Sequence, residues 1–360
     1  MDRINLEQRT EEPEVVLGVV GYGYWGPNLA RNFLGLDGVR VKYVCDASPE
    51  KLAEARRNCP GVELVSDAVT LLEDPEVEAL VIASPIATHY ELAMRAFAAG
   101  KHVFVEKPMS MDVDQGKELV RVSSASGLVL MVGHVFIYHP AVQFMKRYIA
   151  SGELGEVFYS YSQRLNLGRL RRDENCLWSL APHDVSIMLY LLDRQPESVV
   201  CRGTSYLQGG LEDVVFFTLY FPGGQTGNIH VSWLDPRKVR LFTVVGSESM
   251  LVFDDMSPDA KVMVYDRRVY PAASGEIMGY GDELRIHYGE ETVPELRMEE
   301  PLRIECEQFI KSVRDGTAPL TGGEQGLAVL QVLDAASRSM ATRGEPVNIN
   351  WGRQHGGIQG

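Results

Sequence analysis

Val15 to Gly26 reads VVLGVVGYGYWG, an apolar run broken by Gly21, Gly23 and Gly26 in a G-x-G-x-x-G spacing and running straight into Pro27-Asn28-Leu29-Ala30-Arg31-Asn32-Phe33. A strand that ends in glycines and opens a helix is a pyrophosphate cradle. The first glycine makes the tight turn, the second lets phosphate approach the backbone, and the third lets helix and strand pack closely. The N–H groups at the helix start then face the anion. Gly21, Gly23 and Gly26 are thus the first candidate ligand-binding residues. Tyr24 and Trp25, inside the loop, are expected either to pack over the diphosphate or ribose side of a dinucleotide or to seal the domain boundary.

Downstream, Pro27 suits a first helical turn, and Ala30, Phe33 and Leu34 make a stripe that buries against a sheet. Val39–Cys45 reads as the next strand, with Asp46 at its carboxyl end, twenty positions after Gly26. A carboxylate there accepts from the adenosine ribose hydroxyls and repels a 2′-phosphate, so Asp46 favours NAD over NADP. The competing reading is a cap on the turn before Ser48-Pro49. Alternation continues through a helix near Pro49–Asn58, a strand Val62–Val65, a helix from about Asp67 and an apolar strand Glu78–Ala83. Thr88 and Glu91 form a T-x-x-E capping box for the following helix. His102–Val105 is a further strand, delivering Glu106-Lys107-Pro108 to the same edge, and Pro108 keeps Lys107 out of helical geometry. Ligands bind such sheets beyond the carboxyl ends of the strands. Ser84, Pro85, Thr88, His89, Glu106 and Lys107 are therefore the cofactor-edge candidates, although His89, like His134, also reads as a structural histidine.

From about Gly133 the texture changes. Tyr138-His139-Pro140 starts a helix to about Ala150, Gly155–Leu165 looks like a long strand, and strand patterns recur at Asp213–Phe221, Gln225–Leu234, Val239–Val245 and Met250–Asp254. Hairpin spacing implies a mixed or antiparallel sheet. The expected architecture is α/β: a flexible segment 1–14, a doubly wound parallel Rossmann domain 15–133, and an α+β domain 134–350 with a large open sheet. Helices Ile304–Val313 and about 324–340 are expected to pack back on one or both domains.

At 360 residues and 45% hydrophobic content the chain fills two cores. A formal net charge of −14 argues against nucleic acid or an acidic membrane as main partner. Five scattered cysteines without C-x-x-C pairing suggest free thiols in a reducing cytoplasm, with no zinc site. The polar opening residues are not a signal peptide, and no apolar run reaches a membrane-spanning length.

GYGYWG, Asp46 in CDASPEKL, THYELAMRAFAAGKHVFVEKP and HDVS together resemble the Gfo/Idh/MocA family of NAD(P)-dependent oxidoreductases over nearly the whole chain. The resemblance implies a sugar or cyclitol substrate and an open C-terminal sheet that forms a homo-oligomer interface, as a dimer or tetramer. RLNLGRLRRDENCLWSLAPHDVSIMLYLL further resembles the branch that oxidises UDP-linked N-acetylamino sugars, such as UDP-N-acetylglucosamine, at C3. That branch feeds a partner aminotransferase on a route to the 2,3-diamino sugars of lipid A. Neighbouring branches share much of this pattern, so UDP-N-acetylglucosaminuronic acid, inositol or free-sugar dehydrogenases stay open, as does a non-catalytic NAD-binding regulator.

Lys107 and His183 match the family's catalytic positions. Many members carry an Asp four residues before the His, where this chain has Ser179. His183 follows Pro182, which suggests a helix N-terminus whose dipole keeps the imidazole neutral as proton acceptor. Lys107 would hold the same oxygen as alkoxide develops, and the two roles are exchangeable. Arg164, Arg169, Arg171 and Arg172 form a basic segment suited to a diphosphate, or else an exposed loop or oligomer contact. Tyr138, His139 and Asn166 are within reach of the sugar in one reading, and an aromatic beside His-Pro reads as packing in the other.

Overall fold

The computed structural model describes residues 14–168, 171–172, 174–271 and 284–352. The segment expected to be flexible, 1–14, lies outside the described residues apart from Glu14. Arg169 also lies outside them. The chain divides into two compact units, the first comprising residues 1–110, 115–133 and 302–323, the second 111–114, 134–301 and 324–360.

In the first unit, β1 (Val15–Val20), β2 (Val39–Cys45), β3 (Glu63–Val65), β4 (Ala79–Ile82), β5 (His102–Glu106) and β6 (Leu130–Gly133) form a parallel sheet of order β3-β2-β1-β4-β5-β6. This is the doubly wound dinucleotide-binding order, reversing direction beside β1. The connections run through α1 (Gly26–Leu34), α2 (Pro49–Asn58), α3 (Val69–Glu73), α4 (His89–Ala98) and α5 (Val113–Ser126). β1 and β4 are buried along their whole lengths, as strands covered on both faces must be. Helix α5 was not anticipated from sequence.

Leu302–Gly323, assigned from sequence to the second domain, clusters with the first unit. The cause is aromatic packing. Helix α8 (Pro301–Asp315) brings Phe309 against Phe33 and Phe104, with ring centroids 6.2 and 5.7 Å away in edge-on geometry. Such pairs add to the burial of the rings themselves. Beyond α8, Thr321 exchanges hydrogen bonds with Val132: Val132 N–H donates to the Thr321 carbonyl, and Thr321 Oγ1 donates to the Val132 carbonyl, both at 2.8 Å. These bonds cover the open edge of β6.

The second unit has a nine-stranded sheet of order β14-β13-β12-β11-β7-β10-β9-β8-β15 among the described residues. Its strands are β7 (Val157–Leu165), β8 (Ser198–Thr204), β9 (Val214–Tyr220), β10 (Thr226–Ser232), β11 (Val239–Gly246), β12 (Met250–Asp254), β13 (Val262–Pro271), β14 (Leu284–Thr292) and β15 (Val347–Asn348). Only the β7–β10 pairing is parallel; all other pairs are antiparallel. Strands β8, β13, β14 and β15 were not read from sequence.

Helices α6 (Pro140–Ala150), α7 (Cys176–Leu192) and α9 (Gly323–Ala341) complete the unit. α7 packs on one sheet face, where a Cβ at Gly227 would lie 2.1 Å from Met188 Sδ. Glycine at that point lets helix and strand meet closely. α9 is tied in from Ser337, which accepts from Trp178 Nε1 at 3.0 Å, and Ser339, which accepts from Cys201 N–H at 2.9 Å. On the opposite sheet face Tyr159, Phe216 and Tyr220 stay exposed.

Candidate active site

The glycine loop has the geometry its spacing demands. Gly21 has φ +96°, and a Cβ there would sit 2.5 Å from Ser84 N, at the end of β4. A Cβ on Gly26 would come 2.1 Å from the Gly21 carbonyl oxygen. Gly23 differs: a Cβ would meet no protein atom within 4 Å. Packing within the protein therefore explains Gly21 and Gly26, while the bare backbone of Gly23 fits the approach of a ligand phosphate. No side chain caps the first turn of α1, and that turn holds no acidic residue, so its N–H groups suit an anion. Tyr22, between the glycines, is fully buried and anchors the loop through its hydroxyl, 3.4 Å from Cys59 Sγ. Tyr24 is 76% exposed and meets Trp25 edge-on at 5.9 Å.

Asp46 caps the turn, as its competing reading expects, and also holds the glycine loop. Its Oδ1 accepts from Ser48 N–H at 2.8 Å, capping the turn, and Oδ2 accepts from Tyr22 N–H at 2.7 Å, fastening the glycine loop to β2. An ionised carboxylate has four acceptor sites, so capacity for ribose hydroxyls remains. The first unit thus fits a dinucleotide: loop, helix start and carboxylate lie at the carboxyl ends of β1 and β2.

At the β4 edge, Pro85 and Thr88 are exposed. Thr88 does not form the expected capping box. Its Oγ1 donates to the Pro85 carbonyl at 2.8 Å and lies 2.7 Å from Ser84 Oγ, while its backbone is already helical, so the side chain serves the preceding turn. His89, expected at the cofactor, is buried. Its Nε2 lies 2.8 Å from the Ser84 carbonyl and its Nδ1 3.0 Å from the Pro108 carbonyl, linking the ends of β4 and β5. Burial pushes its pKa down, more than the two carbonyls raise it. A neutral ring donates to one of the two carbonyls only.

Glu106 also departs from expectation, because its side chain turns inward. It is 7% exposed and packs on Gly133, where a Cβ would lie 3.2 Å from its carboxyl atoms. Alternation along β5 sets Glu106 on the face of Phe104, toward the interior. Lys107, next in the chain, is half-buried, and its bond to Pro108 is cis. Its N–H donates to Glu106 Oε2 at 3.2 Å.

In the second unit His183 does not stand at a helix N-terminus. Asn175 caps α7, accepting from Trp178 N–H at 3.2 Å, so His183 falls two turns into the helix. Pro182 is an interior proline, whose missing N–H leaves the Trp178 carbonyl without its helical donor. The dipole argument for a neutral ring therefore lapses. Phe136 instead defines the setting of His183, its ring edge-on with centroids 5.2 Å apart.

Arg164 lies on the buried face of β7, under α7, because its neighbours in the alternation, Ser160 and Ser162, face inward too. It pairs with Asp184 in a fork, Nε to Oδ2 at 2.6 Å and Nη2 to Oδ1 at 3.3 Å, and its guanidinium stands 4.6 Å from the Phe136 ring centre. Its fork is spent on Asp184 rather than displayed for a diphosphate. Arg171 pairs with Glu174 at 2.9 Å, whereas Arg172 is exposed. Asn166 Oδ1 is buried with no hydrogen-bond partner among the described residues, an acceptor available to a ligand. Tyr138 is 3% exposed, with its bulk in the core. Sequence reasoning missed Phe136 and Asp184; the His183-Asp184 adjacency was visible, but nothing local announced that Asp184 would meet Arg164.

Comparison with known proteins gives two family matches. Residues 15–134 match the family model described as an oxidoreductase family with an NAD-binding Rossmann fold, and residues 142–252 match the GFO/IDH/MocA C-terminal domain. The 2,7-anhydro-N-acetylneuraminate hydratase of Escherichia coli is 27% identical over 59% of this chain; the match spans 60% of that relative's length. The scyllo-inositol 2-dehydrogenase (NAD(+)) of Bacillus subtilis is 25% identical over 95% of this chain and 97% of its own. Among solved structures, the UDP-N-acetylglucosamine 3-dehydrogenase GnnA of Acidithiobacillus ferrooxidans superposes with a TM-score of 0.76, covering 91% of this chain and 98% of that one, at 22% identity. At that identity the likeness is one of fold.

Proposed function

Since the chain belongs to the GFO/IDH/MocA family of oxidoreductases, we propose that it oxidises a secondary hydroxyl of a sugar or cyclitol with NAD. The observation that carries this reading is the carboxyl edge of the first sheet, where Gly23 presents bare backbone, Asp46 a carboxylate and Lys107 a half-buried ammonium group. Residues Gly21 to Gly26 would hold the diphosphate and Asp46 the adenosine ribose. NAD supplies hydride acceptance when bound.

The remaining chemistry belongs to side chains. Oxidation turns the carbinol into a ketone, with the hydride leaving carbon and a proton leaving oxygen, so a group beside that oxygen must take the proton. Lys107 and His183 are the proposed pair, one holding the oxygen and the other accepting its proton. Replacing Lys107 by Met is expected to lower kcat by ~100-fold or more, the scale of a lost acid–base or alkoxide-stabilising group.

The proposed substrate is a UDP-linked N-acetylamino sugar oxidised at C3, with UDP-N-acetylglucosamine first. This rests on the sequence RLNLGRLRRDENC, on exposed Arg172 and on the unpartnered Asn166 Oδ1. Arg169 and Arg172 would take the diphosphate, and a partner aminotransferase would consume the ketone. A cyclitol substrate is the second reading, favoured by the full-length similarity to an inositol dehydrogenase. Exposed Tyr159, Phe216 and Tyr220 support a homodimer or homotetramer through the open sheet.

NADH absorbance separates the substrates. Purified protein is assayed with UDP-N-acetylglucosamine, UDP-N-acetylglucosaminuronic acid and myo-inositol, with an aminotransferase present to draw off the ketone. Turnover of myo-inositol alone would sink the nucleotide-sugar reading.

A further inference from the structure

Glu305, on α8 of the first unit, is fully buried, and neither carboxyl oxygen has a hydrogen-bond partner among the described residues. It stands four residues before Phe309, so the two share a helix face. Phe309 packs on Phe104, and Phe104 shares a face of β5 with Glu106. The same strip of α8 that closes the aromatic cluster carries the Glu305 carboxyl, and the charge of Glu106, the residue before Lys107, acts on it. Among the described residues these groups bear on the pair. Lys107 faces Glu106 from the end of β5, β6 presents Gly133, and the charge acting on Glu305 is that of Glu106.

A buried carboxyl without hydrogen bonds destabilises the fold, and an apolar residue of similar volume would be better tolerated. In ionised form it would cost far more, and two carboxylates sharing a dry site do not both ionise. Burial first, and then the charge of Glu106, hold the Glu305 carboxyl well above the usual range. Burial also pushes Glu106 up to about 7, against the pull of Lys107. The more deeply buried acid keeps the proton.

We propose that Glu305 is a positioning residue that acts on Lys107 through Glu106: as a buried neutral acid it polarises the Glu106 carboxyl, whose charge sets how tightly the Lys107 ammonium is held. When Glu106 is ionised, Lys107 is fixed as a cation. When Glu106 is protonated, Lys107 shares its own proton more readily. The inference rests on Lys107 being the reactive group proposed above.

The test has two arms. The first is infrared spectroscopy of the purified protein, reading the carbonyl stretch of protonated carboxyl groups across neutral pH. Wild type is expected to show a band that persists above neutrality and is missing in Glu305→Gln, and a second band that titrates near neutrality and is missing in Glu106→Gln. This arm needs no turnover, so it stands even if Lys107→Met retains activity and the catalytic reading fails.

The second arm is the pH profile of kcat/KM. Glu305→Leu removes the neutral dipole that favours ionised Glu106, and is expected to move the neutral-range limb upward by about half a pH unit, roughly a threefold change in rate at fixed pH. Glu305→Gln keeps a polar neutral group and is expected to restore the wild-type limb. If both variants move the limb downward, Glu305 is an anion and the proposal is overturned. An unmoved limb in Glu305→Leu, or absence of the persistent band in wild type, overturns it as well.

Discussion

Arg164 donates through Nε to Asp184 Oδ2 at 2.6 Å, and both side chains are buried beneath α7. The residue after His183 is thereby locked to the central strand of the second sheet. Removing one partner leaves an uncompensated buried charge. Arg164→Met is expected to destabilise the protein by about 3–5 kcal/mol, and the double variant Arg164→Met/Asp184→Leu to recover most of it. Urea unfolding of the three proteins checks this, and a wild-type midpoint for the single variant would show that the pair contributes nothing.

The glycines of the loop separate by mechanism. Gly26→Ala forces a Cβ onto the Gly21 carbonyl, so both melting temperature and NAD affinity are expected to fall. Gly23→Ala meets no protein atom. It is expected to leave the melting temperature unchanged while weakening NAD by ~10-fold or more, about 1.4 kcal/mol. Calorimetric titration with NAD, alongside thermal melts, distinguishes the two.

Asp46 fastens the loop, and under the proposed reading it also repels a 2′-phosphate. Asp46→Asn keeps an acceptor but removes the charge, so the preference for NAD over NADP is expected to drop by about tenfold with little loss of stability. Asp46→Ala also strips the acceptor from Tyr22 N–H. It should relax the preference and lower the melting temperature together. A wild-type enzyme that prefers NADP would refute the assignment.

Stability should carry an unusual pH slope. Burial raises Glu106 from 4.5 to about 7, so between these values the folded protein holds a proton that the unfolded chain has released. The folded state binds more protons in that window, and stability therefore falls as pH rises through it, by about 3 kcal/mol in total from this group. Below the window the contribution is fully present; above it, it is lost. Glu106→Gln is expected to flatten this part of the curve relative to wild type, as measured by denaturant unfolding across the window.

The first fold was legible because its information is local. G-x-G-x-x-G needs only a strand, a turn and a helix, and the apolar strands between amphipathic helices announce winding without reference to distant residues. The second sheet was legible where hairpins were short, as between Val214–Tyr220 and Thr226–Ser232. It was missed at Ser198–Thr204, which β9 meets only across the connection 205–213, too long to announce a tight turn.

Candidate site residues divide the same way. The sequence by itself determined Gly21, Gly23, Gly26, Asp46 and the strand-end station of Lys107, because backbone spacing alone carries them to the carboxyl edge of the first sheet. Only the tertiary structure decided which way side chains turn. It sent Arg164 inward to Asp184, set His183 within α7 behind an Asn175 cap, and turned Glu106 toward a helix contributed from 200 residues downstream. A charged side chain goes where its counter-charge or its burial partner lies, and those partners are chosen by packing, which no short stretch of sequence displays.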